Sequence, residues 1–145
     1  MPELPEVETI VRELDEKLKN KKIAAIKPLD KTVFKLSSRQ AKSVVGRTVK
    51  AVRRRAKIIV VDLGGDCLII HLKMTGQLVY DSGGSLVAGG HPIPNESRRL
   101  PNKFTRVIFK FSGGGTLYFN DVRRFGWVKL ADSEEFAELE KKQGG

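Results

Sequence analysis

The sequence predicts a mainly β domain of the α+β class, an antiparallel β-sandwich of about seven or eight strands with an N-terminal helix and further short helices. Apolar residues recur at helical spacing over residues 5–18 and change to runs and alternations typical of strands from residue 47 onward. Glycine-rich turns separate two pairs of these runs, as in β-hairpins. The length of 145 residues suits one domain of ordinary size.

The helical segments lie at the two ends of the chain and just before the strands begin. The first covers residues 5–18, with Pro5 in the first helical position and glutamates in the first turn, where the helix dipole favours them. A shorter helix over 37–45 begins at Ser37 or the serine after it, and a glycine ends it. A closing helix over 132–143 has acidic residues at its start.

The strand segments are defined by apolar runs and by the turns between them. The clearest are expected over residues 22–28, 47–63, 67–72, 104–111, 116–120 and 126–130. Tight turns at 64–66 and 112–115 predict two hairpins. Residues 81–102 are rich in glycine, proline and serine without periodicity, so we expect a long loop there.

The charge balance favours a polyanionic partner. The chain has 27 Lys and Arg against 17 Asp and Glu, a net charge of +10, and both ends are acidic, so the positive charge is concentrated between them. Nucleic acid is the simplest partner for such a field, and an anionic membrane is the weaker alternative. No apolar run approaches the ~20 residues of a membrane span, and the acidic N-terminus does not resemble a signal peptide. We expect no membrane association and a cytoplasmic, nucleoid-associated protein.

Cysteine use limits the possible metal sites. The chain has one cysteine, Cys67, which excludes an internal disulfide and a zinc site of several cysteines. Together with His71 and His91 it gives at most a three-ligand cluster. We discount that cluster because Cys67 lies in an apolar run, and we expect no metal in this chain.

A basic cluster precedes the first predicted hairpin turn. It places six cations within eleven residues: Arg47, Lys50, Arg53, Arg54, Arg55 and Lys57. Strand alternation divides them between two faces. They fit either a phosphate-binding surface or a solvated edge strand whose charge prevents aggregation.

The first residues offer a nucleophile. Removal of Met1 would leave Pro2 with a secondary amine, which condenses with an aldehyde-level carbon to give a cationic iminium. An α-amino group has a pKa near ~8 against ~10.4 for lysine, so more of it is unprotonated at neutral pH. The adjacent Glu3 could transfer protons. The alternative interpretation of Pro2 and Glu3 is a simple lead into the first helix.

Four segments together identify a family. MPELPEVETI, RRRAKIIVVDL, HLKMTGQL and NDVRRFG, in this order, closely resemble the N-terminal catalytic domain of formamidopyrimidine-DNA glycosylase. The resemblance covers roughly residues 2–130. It implies a bacterial DNA-repair enzyme that excises oxidised purines and cleaves abasic sites by β- and δ-elimination. The opening PELPE, where the endonuclease VIII group has PEGPE, favours the purine-directed branch.

The resemblance also implies roles at the catalytic centre. Pro2 matches the nucleophile that attacks the sugar C1′, and Glu3 matches the general acid/base. Glu6 matches the carboxylate that borders the damaged-base pocket. Lys57 matches a catalytic-site group that holds a phosphate of the flipped nucleotide.

Further matches concern DNA binding. His71 and Arg124 match phosphate contacts, and Met74, Arg123 and Phe125 match side chains that enter the duplex in place of the extruded base. From the residues alone, Met74 and Phe125 could equally be core residues. His71 could be a satisfied core histidine.

The sequence departs from the family in several places. KFTRV at 103–107 replaces a stretch that usually contains histidine and aspartate, so Arg106 substitutes a cationic contact for a polar one. Val122 stands where proline is commoner, which loosens the turn. A retained Met1 would convert the Pro2 nitrogen to a tertiary amide and abolish its nucleophilicity.

The resemblance assigns residues 1–130 to the catalytic domain and 131–145 to an acidic helix or tail. Full-length members continue there into a helix-two-turn-helix domain and a four-cysteine finger with a structural zinc. We therefore expect a fragment, a truncated product or a reduced form that carries no cofactor.

Three functions follow from these observations. The first is a monomeric DNA glycosylase and AP lyase whose partner is double-stranded DNA with oxidised purines or abasic sites. The main alternative is a catalytically inactive DNA-binding remnant. The third is a protein-interaction domain that uses the acidic end helices.

Overall fold

Two antiparallel sheets form the body of the protein in a computed structural model, which describes residues 4–90 and 99–142. The elements are α1 (Leu4–Leu18), β1 (Ile23–Pro28), α2 (Ser38–Val44), β2 (Ala51–Arg55), β3 (Ile58–Asp62), β4 (Asp66–His71), β5 (Gly76–Asp81), β6 (Leu86–Gly90), β7 (Thr105–Phe111), β8 (Thr116–Asp121), β9 (Trp127–Asp132) and α3 (Ser133–Lys142). One sheet has the order β1-β7-β8-β5-β6, and the other has the order β2-β3-β4-β9. The predicted mainly β, antiparallel fold with flanking helices is confirmed.

The main core lies between the two sheets and beneath α1. Alternate residues of each strand point into it, as the period of two requires: Ile59 and Leu68 come from the four-stranded sheet, and Phe109 and Phe119 from the five-stranded sheet. The apolar face of α1 joins the same core at the helical spacing that the sequence showed.

A smaller cluster covers the outer face of the four-stranded sheet. Ile58, Val60 and Ile69 are buried there, and Phe136 of α3 packs against them. Cys67 belongs to this cluster, and burial raises the pKa of its thiol. No three His, Cys, Asp or Glu side chains within 4–90 and 99–142 are placed to hold a metal. His91 lies outside the described residues.

Helix α1 runs antiparallel to β2. The Asp15 carboxylate accepts a hydrogen bond of 2.8 Å from the backbone N–H of Val52, and Glu8, nearer the helix start, forms an ion pair of 2.7 Å with Arg54. The start of α1 is therefore directed toward the turn that follows β2. None of the described helices is long and apolar enough to cross a membrane.

Two segments differ from the sequence prediction. The single strand expected over 47–63 is divided into β2 and β3 by a turn at Ala56, whose φ is 52°. No glycine, proline or asparagine marks this turn, so the composition gave no signal for it. The loop expected over 81–102 contains β6, which adds to the edge of β5 through backbone pairing that needs no apolar pattern.

The close contact between α1 and β6 allows the position of the helix to be tested. A Cβ on Gly89 would lie 2.5 Å from the Ile10 Cβ, so the strand approaches the helix too closely for any side chain. Gly89→Ala should lower the free energy of unfolding by about 1–3 kcal/mol, measured by chemical denaturation. Gly84→Ala is the matched control because a Cβ there meets open space. Equal stabilities of the two variants would contradict this helix position.

Candidate nucleic-acid interface

One end of the sandwich collects most of the predicted site residues. His71, at the end of β4, pairs with both Ile58 and Trp127, so the turn before β3 and the residues before β9 lie beside it. In the other sheet Gly76 pairs with Asp121. Two short connections therefore cross between the sheets at this end: the Met74 loop (residues 72–75) and the Arg123 loop (residues 122–126).

The Asp121 carboxylate holds the Arg123 loop in place. It is fully buried, and its Oδ1 accepts hydrogen bonds from the backbone N–H groups of Arg123 at 3.2 Å and Arg124 at 3.1 Å. Its Oδ2 accepts from the N–H of Gly126 at 2.8 Å. The hydroxyl of Thr75, in the Met74 loop, also donates to Oδ1. One carboxylate therefore contacts both loops.

Sequence reasoning did not identify Asp121 or Thr75 as site residues. The available signal was an aspartate at the end of an apolar strand directly before a turn, the position from which a carboxylate accepts backbone N–H bonds of the turn. The link to Thr75 could not be inferred because it joins positions 46 residues apart.

The side chains expected to enter a duplex are exposed at the tips of these loops. Met74 is 48% exposed and Phe125 is 44% exposed. The Arg123 guanidinium lies 4.7 Å from the centre of the Phe125 ring, a cation–π contact at the surface. The alternative that Met74 and Phe125 are core residues is therefore wrong.

Arg106 and Arg124 converge on a second carboxylate, that of Asp30. Arg124 lies 3.3 Å and Arg106 3.9 Å from Asp30 Oδ2. Burial acts to raise the pKa of Asp30, but hydrogen bonds from Thr32 and the two arginine charges outweigh it and hold this pKa below its ordinary value. Asp30 therefore stays ionised and anchors the exposed Arg124 beside the Arg123 loop.

Arg106, the cation of the KFTRV segment, bonds to the backbone of the protein itself. Its Nε donates to the backbone carbonyl of Asp121 at 2.8 Å, and an Nη donates to that of Val122 at 3.4 Å. Burial lowers the pKa of the Arg106 guanidinium. The cation expected from KFTRV thus supports the start of the Arg123 loop from inside the protein.

His71 is buried and neutral. It is 7% exposed, and its Nδ1 accepts a hydrogen bond of 3.0 Å from the backbone N–H of Lys73. Burial, with the charges of Lys73 and Lys57, lowers the pKa of His71 to about 4. Since Nδ1 is an acceptor, the ring proton of the neutral histidine is on Nε2. His71 is therefore a satisfied histidine with one N–H left to donate.

The basic cluster does not form one surface. Arg47, which precedes β2, pairs with Asp66 of β4 at 3.1 Å, and Arg53 of β2 pairs with Asp62 of β3 at 2.7 Å. Arg54 pairs with Glu8 of α1. Lys57 lies in the turn before β3, whose first residue, Ile58, pairs with His71. The cluster thus has two roles, ion pairing along the sheet and a cation at the candidate interface.

The remaining site predictions concern the start of the chain. Glu6 is exposed in the first turn of α1, at the end of the helix directed toward the β2–β3 turn. Pro2 and Glu3 lie outside the described residues, so their roles stay predictions.

Backbone strain is concentrated at the same end. Of the four non-glycine residues with positive φ among those described, three lie here: Ala56 at 52°, Lys73 at 52° and Arg124 at 59°. Residues in this region are costly and cluster at functional sites when the surrounding structure fixes them. Three of the four strained positions thus lie in the turns and loops that carry the predicted site residues.

Comparison with known proteins agrees with this geometry. A model of the formamidopyrimidine-DNA glycosylase N-terminal domain matches residues 1–128. The chain is 37% identical over 142 residues to the formamidopyrimidine-DNA glycosylase of Moorella thermoacetica, covering 96% of this chain and 47% of the relative. For the enzyme of Chloroflexus aurantiacus the identity is 37% over 147 residues, covering 99% and 48%. The chain spans about half the length of the curated relatives it matches.

Solved structures give the same result. A complex between Lactococcus lactis Fpg and DNA containing an abasic site aligns with a TM-score of 0.77 and 29% identity, covering 97% of this chain and 47% of that chain. A complex of the same protein with DNA containing FAPY-dG aligns with the same TM-score and identity, covering 97% and 48%.

The neutral His71 predicts a pH-dependent stability. The folded-state pKa of about 4 lies below the ordinary value of 6.5, so the unfolded chain binds the extra proton first. The free energy of unfolding is therefore unaffected by this histidine above pH 6.5. It falls as the pH is lowered from 6.5 toward 4, by up to about 1.4 kcal/mol per pH unit. In urea denaturation at pH 4–7, His71→Asn should flatten this dependence, because the amide oxygen can accept the Lys73 bond without titrating. His91→Asn is the control, and an unchanged slope in His71→Asn would contradict the assignment.

Proposed function

Because the chain belongs to the formamidopyrimidine-DNA glycosylase family through that family's N-terminal domain, we propose that it binds damaged double-stranded DNA and serves in base-excision repair. The observation that carries the proposal is the exposure of Met74, Arg123 and Phe125 on two loops fixed at one end of a basic domain. If Met74 and Phe125 were core residues they would be buried, and neighbouring large apolar side chains exposed on a protein surface are typical of a binding site.

Extrusion of a nucleotide is the first task of the proposed function. An enzyme that acts at C1′ inside a duplex must flip the nucleotide out, and unstacking costs a few kcal/mol. Met74 and Phe125 can fill the vacated space and separate the stack, since apolar side chains inserted between bases offset this cost. Arg123 provides donors that can contact the orphaned base.

Phosphate binding would hold the flipped nucleotide. The Nε2–H of His71 is a neutral donor, and Lys57 adds a cation beside it. Arg124, more than half exposed, is positioned by Asp30 at the edge of the Arg123 loop. This arrangement combines a fixed hydrogen-bond donor with point charges, which suits a strand whose backbone is bent away from the duplex.

The proposed chemistry depends on Pro2 with Met1 removed. Its nitrogen attacks C1′, the bond from C1′ to the base breaks, and the base departs with a proton as the sugar ring opens to an iminium. Loss of a C2′ proton then expels the 3′ phosphate by β-elimination. A second elimination expels the 5′ phosphate, and water releases Pro2. Glu3 is assigned the proton transfers.

The finer assignments follow the resemblance. Oxidised purines are the proposed lesions, and abasic sites are the second proposed substrate. We propose that the protein acts as a monomer, in the cytoplasm and at the nucleoid. The structural zinc of full-length members does not fit this chain, because Cys67 is its one cysteine and is buried against the outer sheet face. No step of the mechanism involves a metal.

Covalent trapping tests the nucleophile. With Met1 removed, the protein and abasic DNA should give a stable adduct on borohydride reduction, seen as a shift in denaturing gels. An uncleaved N-terminal extension should abolish the adduct because it acylates the Pro2 nitrogen, whereas Pro2→Gly should keep some trapping through its primary amine. Duplex binding by the extended protein serves as the control. Undiminished trapping by the extended protein would exclude Pro2. A non-catalytic DNA-binding domain would bind and never trap.

Alanine variants test duplex entry. Met74→Ala and Phe125→Ala should leave the free energy of unfolding within about 0.5 kcal/mol, because both side chains are exposed. The buried Phe119→Ala is the control and should cost about 3–5 kcal/mol. Excision from duplex should fall in the exposed variants, while cleavage of an abasic site in single-stranded DNA should persist. Equal losses on both substrates would count against entry into the stack.

A further inference from the structure

The Met74 loop and the Arg123 loop share one buried anion, and this sharing has a functional consequence. We propose that Asp121 and Thr75 are positioning residues that couple the two loops, so that Met74, Arg123 and Phe125 enter a duplex as one rigid unit. The inference rests on the proposed function and adds to it two residues that act by positioning the loops.

The coupling is located at a single oxygen. Oδ1 of Asp121 accepts from the Thr75 hydroxyl and from the N–H groups of Arg123 and Arg124. Displacement of either loop therefore removes a donor from a carboxylate that is fully buried. A buried charge that loses a hydrogen bond is strongly disfavoured, so the position of one loop limits that of the other.

A second contact brings the same two loops together. A Cβ on Gly126 would lie 2.7 Å from the His71 carbonyl and 3.0 Å from Asp121 Oδ2. The end of the Arg123 loop thus lies against the strand residue from which the Met74 loop departs. The Met74 loop is closed by a bond of 2.8 Å from the N–H of Gly76 to the Leu72 carbonyl. Both loops have short, fixed bases, and the Asp121 carboxylate lies between them.

A neighbouring threonine shows what an ordinary buried hydroxyl does in this sheet. Thr105 donates to Asn120 Oδ1 at 2.7 Å, one position before Asp121 on β8. Its hydroxyl also accepts from the N–H of Asn102 at 3.0 Å. These bonds join β7 to β8 and the segment before β7, and they involve neither loop. Thr105 therefore provides a matched control for the loss of a hydroxyl without loss of the coupling.

Hydrogen exchange of the free protein tests the coupling without DNA. Thr75→Val keeps the shape of the side chain and removes its donor, so exchange at the Arg123 and Arg124 amides should accelerate roughly tenfold. Thr75→Ser should restore the rate, and Thr105→Val should leave it unchanged even if the protein is less stable. Unchanged exchange in Thr75→Val, or equal acceleration in Thr105→Val, would overturn the proposal.

Binding to DNA tests the consequence. The full chain is titrated with a duplex containing a tetrahydrofuran abasic analogue and with the single strand of the same sequence. Thr75→Val should lower the ratio of duplex to single-strand affinity roughly tenfold, with Thr75→Ser near the parent and Thr105→Val unchanged. Faster exchange with an unaltered ratio would refute coupled entry. A parent protein with no preference for the abasic duplex over undamaged duplex would instead contradict the proposed function, while the exchange result would still decide the coupling.

Discussion

The buried carboxylate of Asp121 is the interaction on which the candidate interface depends. A carboxylate without partners in a protein interior is unfavourable by far more than one hydrogen bond, so the fold must supply donors to it. Those donors are backbone N–H groups of the Arg123 loop and the hydroxyl of Thr75. The requirement fixes the two connections between the sheets without burying their side chains, and this leaves Met74 and Phe125 available at the surface.

The strained residues follow from the same constraint. Lys73 and Arg124 adopt left-handed backbone conformations, one in each loop. Arg124 is held there by its N–H bond to Asp121 and its ion pair with Asp30, and Lys73 by its N–H bond to His71 Nδ1. Polar interactions at buried or half-buried atoms thus offset the backbone cost at each position. The histidine that accepts the Lys73 bond must stay neutral to do so, which links its depressed pKa to the loop geometry.

The sequence pattern predicted the elements whose buried residues recur at regular spacing or whose ends carry a local cap or turn signal. The apolar stripe of α1, the β7–β8 hairpin with its glycine turn, and the Ser37 cap of α2 all occur as expected. The β2–β3 turn and β6 were missed, because the first uses Ala56 at positive φ and the second depends on an edge pairing. The site residues came from motif resemblance. Sequence alone left Met74, Phe125 and His71 undecided between core and surface, because their positions depend on a contact between distant strands.

The loops of the candidate interface are held in place before any ligand binds. Binding costs free energy whenever it must order a loop or a long side chain, and that cost is subtracted from the affinity. Here Asp121 accepts hydrogen bonds from both loops, Asp30 pairs with Arg124, and the Arg123 guanidinium already lies over the Phe125 ring. Under the proposed function, contact with a duplex would need little further ordering of the protein, and less of the free energy of phosphate and base contacts would be spent on ordering it. Since unstacking is the costly step in reaching a base, the proposed entry of Met74, Arg123 and Phe125 as one unit would place the deformation in the nucleic acid rather than in the protein.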